Sequence, residues 1–302
     1  MAEVGLVDFA RCALAIAKRV MPLYRSKYSK HTFTQPQLLA ILCLMRYEDW
    51  TFRETEVRLQ EHIELRMALG LKHTPDYTTF YRFMRRLDAE LIQTALQETA
   101  LETMKDGSTK RAVLAVDATG LAPGAISTFF INRKRDRGQG LPWRYWLKWV
   151  VVVETKHQLL LAQIAKRGPY NDCALLRPLV DIAHPVMPAS LVLADAEFDS
   201  ERNHKHIREV HHLQSIIPAK RGKKTWKLNG VRAQMKNNFP AKRYSQRNLI
   251  ETVFSVVKRK LSTRAPGRSL ATQALQALIL GLAYNLYKLW FLLRISTKPN
   301  EF

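Results

Sequence analysis

The spacing of apolar side chains changes character near residue 110. Through the first hundred or so residues they recur at helical spacing, and no segment reads convincingly as a strand. Thr51-Phe52-Arg53-Glu54 has the form of a capping box and predicts a helix through about Leu65. Gly70 breaks that pattern, and Thr74-Pro75-Asp76 opens a second helix from Tyr77 to about Leu87. The polar stretch Lys105–Lys110, with Gly107 in it, reads as a domain junction. Beyond Arg111, short continuous apolar runs alternate with amphipathic segments. Strands are predicted at 112–117, 145–154, 158–165, 191–195 and 214–218, and helices at 171–183, 200–211, 244–262 and 269–294. The pattern therefore predicts an all-helical domain, residues 1–108, ahead of an α/β domain, residues 109–302. Periodicity alone takes the second domain no further than α/β.

Two of the predicted strands close on an acid, Asp117 after Ala112–Val116 and Asp195 after Leu191–Ala194. Apolar runs of this kind suit strands buried on both faces, whose carboxyl ends line the functional crevice of an α/β sheet. Each aspartate by itself would serve equally well as a cap for the next helix. Further on, Tyr244, Arg247, Glu251 and Lys258 share the spacing Y-x-x-R-x-x-x-E-(x)6-K. At about 100° per residue, the last three fall roughly −60°, −20° and −40° from Tyr244, so all four occupy one narrow strip. Leu249, Ile250, Val253, Phe254, Val256, Val257 and Leu261 fall on the opposite side. A solvated face would account for the charged residues of this helix in isolation. Taken with Asp117 and Asp195, Glu251 completes a trio of carboxylates, a hard oxygen donor set suited to Mg²⁺ or Mn²⁺.

In these features the chain resembles the DDE transposases of bacterial and archaeal insertion sequences, in the large group marked by a Y-R-E-K signature and related to insertion sequences four and five. Asp117-Ala118-Thr119-Gly120 looks like the family's first-aspartate segment, and Ala194-Asp195-Ala196-Glu197-Phe198-Asp199-Ser200 like its second. Arg144, Trp146, Lys148 and the run Ala283-Tyr284-Asn285-Leu286 also look like the family. One departure is Glu197, where a glycine is common. The resemblance implies an RNase H-like catalytic core, a mixed five-stranded sheet flanked by helices, behind a helical DNA-binding or dimerisation domain. It implies a prokaryotic, cytoplasmic, nucleoid-associated enzyme that acts as a homodimer on terminal inverted repeats. Asp117, Asp195 and Glu251 would hold two Mg²⁺ ions, with Mn²⁺ able to substitute, for in-line phosphoryl transfer. Arg247 and Lys258 would stabilise phosphate charge, and Tyr244 would hydrogen-bond the DNA backbone. A descendant that binds DNA without cutting it is the alternative reading.

Forty-eight Lys and Arg against 26 Asp and Glu give a formal net charge of +22, which favours polyanionic partners: DNA, RNA or an anionic membrane surface. Two basic loops are candidates to grip double-stranded DNA, Arg133-Lys134-Arg135 with Arg137, and Lys220-Arg221 with Lys223, Lys224 and Trp226. Lys148 joins them on the strand between. Tyr77, Thr78, Thr79, Tyr81, Arg82, Arg85 and Arg86 either form a helix-turn-helix reading face or the basic side of an ordinary bundle. Cys12, Cys43 and Cys173 are scattered with no paired spacing, so neither a disulfide framework nor a cysteine zinc site is indicated. His204, His206, His211 and His212 read as surface residues. No basic segment precedes an apolar one at the start, so no secretory signal is expected. Ser269–Leu293 is long enough to cross a membrane, but Thr272, Gln273, Gln276 and Asn285 interrupt it. It is expected to be a buried closing helix, with no membrane partner.

Overall fold

A computed structural model describes residues 3–104, 111–123, 146–220 and 229–296, with the isolated positions 136 and 138. The predicted junction at 105–110 and most of both basic loops lie outside these residues. The N-terminal region contributes helices α1 (Leu6–Val20), α2 (Gln35–Tyr47), α3 (Phe52–Glu61), α4 (Ile63–Ala68), α5 (Tyr77–Met84) and α6 (Ala89–Thr103). The capping box at Thr51 and Glu54 forms, and Thr34 with Gln37 makes a second one ahead of α2. The helix expected through Leu65 is interrupted at His62, whose backbone leaves the helical region. On α5, Phe80, Phe83 and Met84 are buried, while Tyr81, Arg82, Arg85 and Arg86 are exposed.

The sheet is five-stranded and mixed, in the order β3-β2-β1-β4-β5. Its strands are β1 (Ala112–Leu121), β2 (Leu147–Glu154), β3 (Leu159–Arg167), β4 (Ala189–Ala194) and β5 (Gln214–Ile216). The first three run antiparallel as a meander, while β4 pairs parallel with β1 and β5 parallel with β4. This is the RNase H-like arrangement. Its pleat explains the unbroken apolar runs. Ala115, Trp149, Val151, Val153 and Leu160 enter one core, and Leu114, Val116, Val150, Val152, Leu159 and Leu161 enter the other.

The first core is shared with the N-terminal helices, so Phe9, Leu39 and Ile92 belong to the same apolar cluster as Trp149 and Tyr284. The second is closed by α7 (Leu176–Ala183), Phe198 and Ile207. Among the described residues the helices α8 (Glu201–Lys205), α9 (Gly230–Asn237), α10 (Ala241–Tyr244) and α11 (Asn248–Val256) follow. The closing helix α12 (Leu270–Ser296) meets the length and hydropathy criteria for a membrane span over Leu270–Arg294, yet 72% of its most apolar window is buried against protein. Its polar residues explain why it docks there. Asn285 accepts from Leu160 N at 2.9 Å and donates to Leu160 O and Thr99 Oγ1 at 2.8 Å each. Gln163 donates to Leu278 O at 2.8 Å and accepts from Trp149 Nε1 at 3.1 Å. These bonds satisfy groups that burial would otherwise leave unpaired.

Three segments depart from the single regular helices expected of them. Residues 172–175 form a 3-10 turn ahead of α7. The segment 201–210 begins as α8 and finishes as a π turn over His206–Val210. The segment 241–261 passes from α10 through a 3-10 turn at Ser245–Arg247 into α11, then into a π turn at Val257–Leu261. A constant 3.6-residue period cannot anticipate such changes of pitch.

Candidate active site

Asp117 lies within β1 rather than at its end, because the antiparallel ladder with β2 continues to Leu121↔Leu147. The parallel ladder with β4 ends earlier, at Val116↔Ala194, and each of those residues is followed by an aspartate. Asp117 and Asp195 are thus register neighbours where the parallel pair stops. Pleat alternation sends Asp117 to the same face as Ala115, the face on which Ile250 and Val253 of α11 pack. Glu251 rides on that helix.

Arg247 joins the two elements. Its Nη1 donates to Asp117 Oδ2 at 2.7 Å and its Nη2 to Glu251 Oε1 at 3.2 Å. The guanidinium is 13% exposed and Asp117 16%, whereas Glu251 is 61% exposed at the rim. Asp117 Oδ1 accepts from Ala118 N at 2.8 Å. Burial pushes the Asp117 carboxyl above its ordinary pKa, and the charge of Asp195 adds to the effect, outweighing Ala118 N and Arg247. Burial would lower Arg247, but Asp117 and Tyr244 outweigh it and hold the guanidinium more firmly charged. Burial also raises the Tyr244 phenol, which stays protonated at neutral pH. Tyr244 stands edge-on to Phe239 at 4.9 Å between ring centroids, with the Arg247 guanidinium 5.8 Å from its ring.

Asp195 caps the turn that follows its strand, the simpler of the two roles open to it. Its Oδ1 caps the 3-10 turn Ala196–Phe198 by accepting from Glu197 N at 2.7 Å, and its charge is felt at Asp117, Tyr244 and Arg247. Two neighbouring carboxylates, one of them buried and offset by a single arginine, are the electrostatic condition that a hard dication relieves. Hard oxygen donors of this kind suit such an ion by their chemistry, but Arg247 stands between Asp117 and Glu251, and the three carboxylates are not gathered at ligand spacing.

The remaining predicted site residues are dispersed. Lys258 is exposed in the π turn, about 10 Å along the helical axis from Glu251. Lys148 is bound to the Asp172 carboxylate and donates to Tyr170 O at 2.9 Å, tying β2 to the segment ahead of α7. Lys220 Nζ pairs with Glu197 Oε2 at 2.8 Å, so the departure at Glu197 meets one of the basic-loop cations. Arg133, Lys134, Arg135, Arg144, Arg221, Lys223, Lys224 and Trp226 lie outside the described residues.

Sequence reasoning missed an anchor beside the site. Asp199 has a fully buried side chain and accepts from Lys220 N at 2.8 Å and from Arg232 Nε and Nη2 at 2.9 and 2.7 Å. It ties the strand-end segment to α9. The one available signal was a second acid four residues beyond Asp195. The expectation for the histidines also needs correction. His204 is completely buried, with Nδ1 2.7 Å from Ser215 Oγ, and His206 and His211 turn inward to Asp181; only His212 is exposed. The π turn and the buried Ile207 hold this segment against the protein, with His206 and His211 half-buried beside α7.

The fold is of the RNase H-like class, and Asp117 and Asp195 lie where its β1–β4 ladder ends. The profile of the family "Transposase DDE domain" matches residues 108–286, and that of "Transposase domain (DUF772)" matches residues 5–86. The chain belongs to the DDE transposases, enzymes that cut and join DNA. Two solved structures are similar at low identity. The cryo-EM structure of a piggyBac transposase synaptic complex with hairpin DNA is 11% identical, with a TM-score of 0.49, over 97% of this chain and 74% of that one. The Drosophila P element transposase strand transfer complex is 12% identical, with a TM-score of 0.35, over 90% of this chain and 82% of that one. No curated protein sequence matches the chain.

Proposed function

We propose that this transposase is of the Y-R-E-K group related to insertion sequences four and five, and that it cuts at an element's terminal inverted repeats and joins the ends to target DNA. The observation that carries this reading is Arg247, which bridges Asp117 of the sheet to Glu251 of the helix one register step from Asp195. Asp117, Asp195 and Glu251 are the residues that would hold two Mg²⁺ ions, or Mn²⁺ in their place. Bound there, such ions supply Lewis-acid activation of the attacking oxygen and neutralise charge on the leaving one.

The protein's own side chains supply the rest. Arg247 balances the carboxylates and presents a half-buried, permanently charged fork to the edge of the site. Tyr244, held protonated by burial, is a hydrogen-bond donor to a DNA phosphate rather than a base. Lys258 meets a neighbouring phosphate from its exposed position. Lys148 and Lys220 would reach DNA only by exchanging their present acidic partners, and Arg133, Lys134, Arg135, Arg221, Lys223, Lys224 and Trp226 are further DNA contacts by their chemistry alone. Residues 1–108 form the end-recognition and dimerisation part, and residues 109–302 the catalytic part. The enzyme works as a homodimer in a prokaryotic cytoplasm, on the nucleoid.

The test is cleavage of a labelled element end, with flanking DNA, by wild type and Glu251→Gln in Mg²⁺, Mn²⁺ and EDTA. Cutting at the end that needs the ion and disappears in the variant is expected. Specific binding without cutting under every metal would overturn the catalytic reading.

A further inference from the structure

A second set of metal-type donors lies at the other end of the sheet. Asp181 is on α7, which leads into β4, and His206 and His211 bound the turn that leads into β5. They therefore sit near where the parallel strands begin, whereas Asp117 and Asp195 sit where the β1–β4 ladder ends. His206 Nε2 and His211 Nε2 each lie 2.6 Å from the same oxygen, Asp181 Oδ1, and the three ligand atoms fall within 4.8 Å of one another. The His206 and His211 rings stand nearly perpendicular, with centroids 5.0 Å apart, and His184 packs against His211 at 4.7 Å.

The spacing His206-x4-His211 would scatter these rings on an ordinary helix, since five residues at about 100° each leave them roughly 140° apart. The π turn at His206–Val210 closes on an i to i+5 repeat instead and brings both onto one face. The His206 and His211 side chains are 20% and 13% exposed, while Asp181 is 47% exposed. Two imidazole nitrogens and one carboxylate oxygen, with an open side for water, form a donor set for a borderline dication rather than a hard one.

We propose that Asp181, His206 and His211 bind Zn²⁺, with water in the fourth position, and that the ion staples α7 to the turn ahead of β5. Tetrahedral ligands at about 2.0–2.1 Å from zinc stand about 3.3 Å from one another, so the exposed Asp181 carboxylate withdraws by about 0.7 Å to admit the ion. The site is independent of the DNA chemistry. Its failure would leave the transposase reading untouched, and the converse also holds.

The experiment is a Zn²⁺ titration of the full chain, without a histidine tag, followed by calorimetry and thermal melting. Wild type and Asp117→Asn should each bind Zn²⁺ at this site with a raised melting temperature. His206→Gln and His211→Gln should weaken that binding by at least about 100-fold, the upper end of what losing a mere supporting contact costs. Should those variants fold poorly, zinc K-edge absorption of the wild type counts the ligands directly, and two imidazoles with oxygen are expected. Absence of a saturable shift in the wild type, a shift that survives His211→Gln, or a zinc shell without two imidazoles would each overturn the proposal.

Discussion

Asp117 and Asp199 are both largely enclosed acids paired with an arginine, and their hydrogen-bond partners satisfy them to different degrees. Asp199 takes a forked arginine and a backbone N–H, with its side chain fully enclosed. Asp117 has one N–H, a single contact from an arginine shared with Glu251, and the charge of Asp195 close by. One acid is satisfied and holds α9 and Lys220 in place. The other is left short of positive charge and faces the crevice. A carboxylate kept for an incoming cation is recognised by this deficit rather than by burial or by an arginine partner, which both acids have.

The largest expected effect tests that contrast on the deficient side. Asp117→Asn should lower metal-dependent cutting by at least about 10³-fold, because a charged donor at the reacting phosphate is lost. It should not lower stability. A folded-state pKa above the unfolded one means that the native protein binds the extra proton, so ionised Asp117 costs stability once the pH rises past its folded value. Removing that charge should leave the melting temperature at neutral pH equal or higher. A clear loss of melting temperature would make Asp117 a structural acid like Asp199. For the satisfied acid the order reverses. Asp199→Ala strands the Arg232 guanidinium and should cost about 3–5 kcal/mol in denaturant unfolding. If unfolding is unchanged, the fork is not an anchor.

Much of this was legible in the chain. Continuous apolar runs ending in Asp117 and Asp195 identified strands covered on both faces, and the four-residue step from Arg247 to Glu251 identified a pair that meets on a helix. The exact place of Asp117 was not, because β1 is extended by its antiparallel partner after the parallel one has stopped. Lys148 read as a free cation because its acid, Asp172, comes from a turn 24 residues later. The histidines were misread for a further reason. Their inward placement depends on a π turn, a change of pitch that no apolar period encodes. Asn285 looked like an interruption of a hydrophobic helix and is instead the group that docks it on β3.

His204 sharpens the comparison from the satisfied side. It is buried against Ser215, its Nε2 is 3.8 Å from Asp199 Oδ1, and Arg208 and Arg232 face the same group. Burial pulls its pKa from the ordinary 6.5 down to about 4, and Arg208 and Arg232 act in the same direction, against Asp199 and Glu201. Below about pH 6.5 the unfolded chain therefore takes up a proton that the folded one refuses. Stability is full above that value and drains as the pH falls towards about 4, by about 3 kcal/mol over the window. His204→Gln should flatten the difference between unfolding curves taken at pH 7 and pH 5, while keeping a hydrogen-bond partner for Ser215. An unchanged difference would mean that His204 takes up its proton as readily in the folded chain as in the unfolded one, and a change of opposite sign that Asp199 holds it charged, the anchor then being an ion triad rather than a satisfied acid beside a neutral ring.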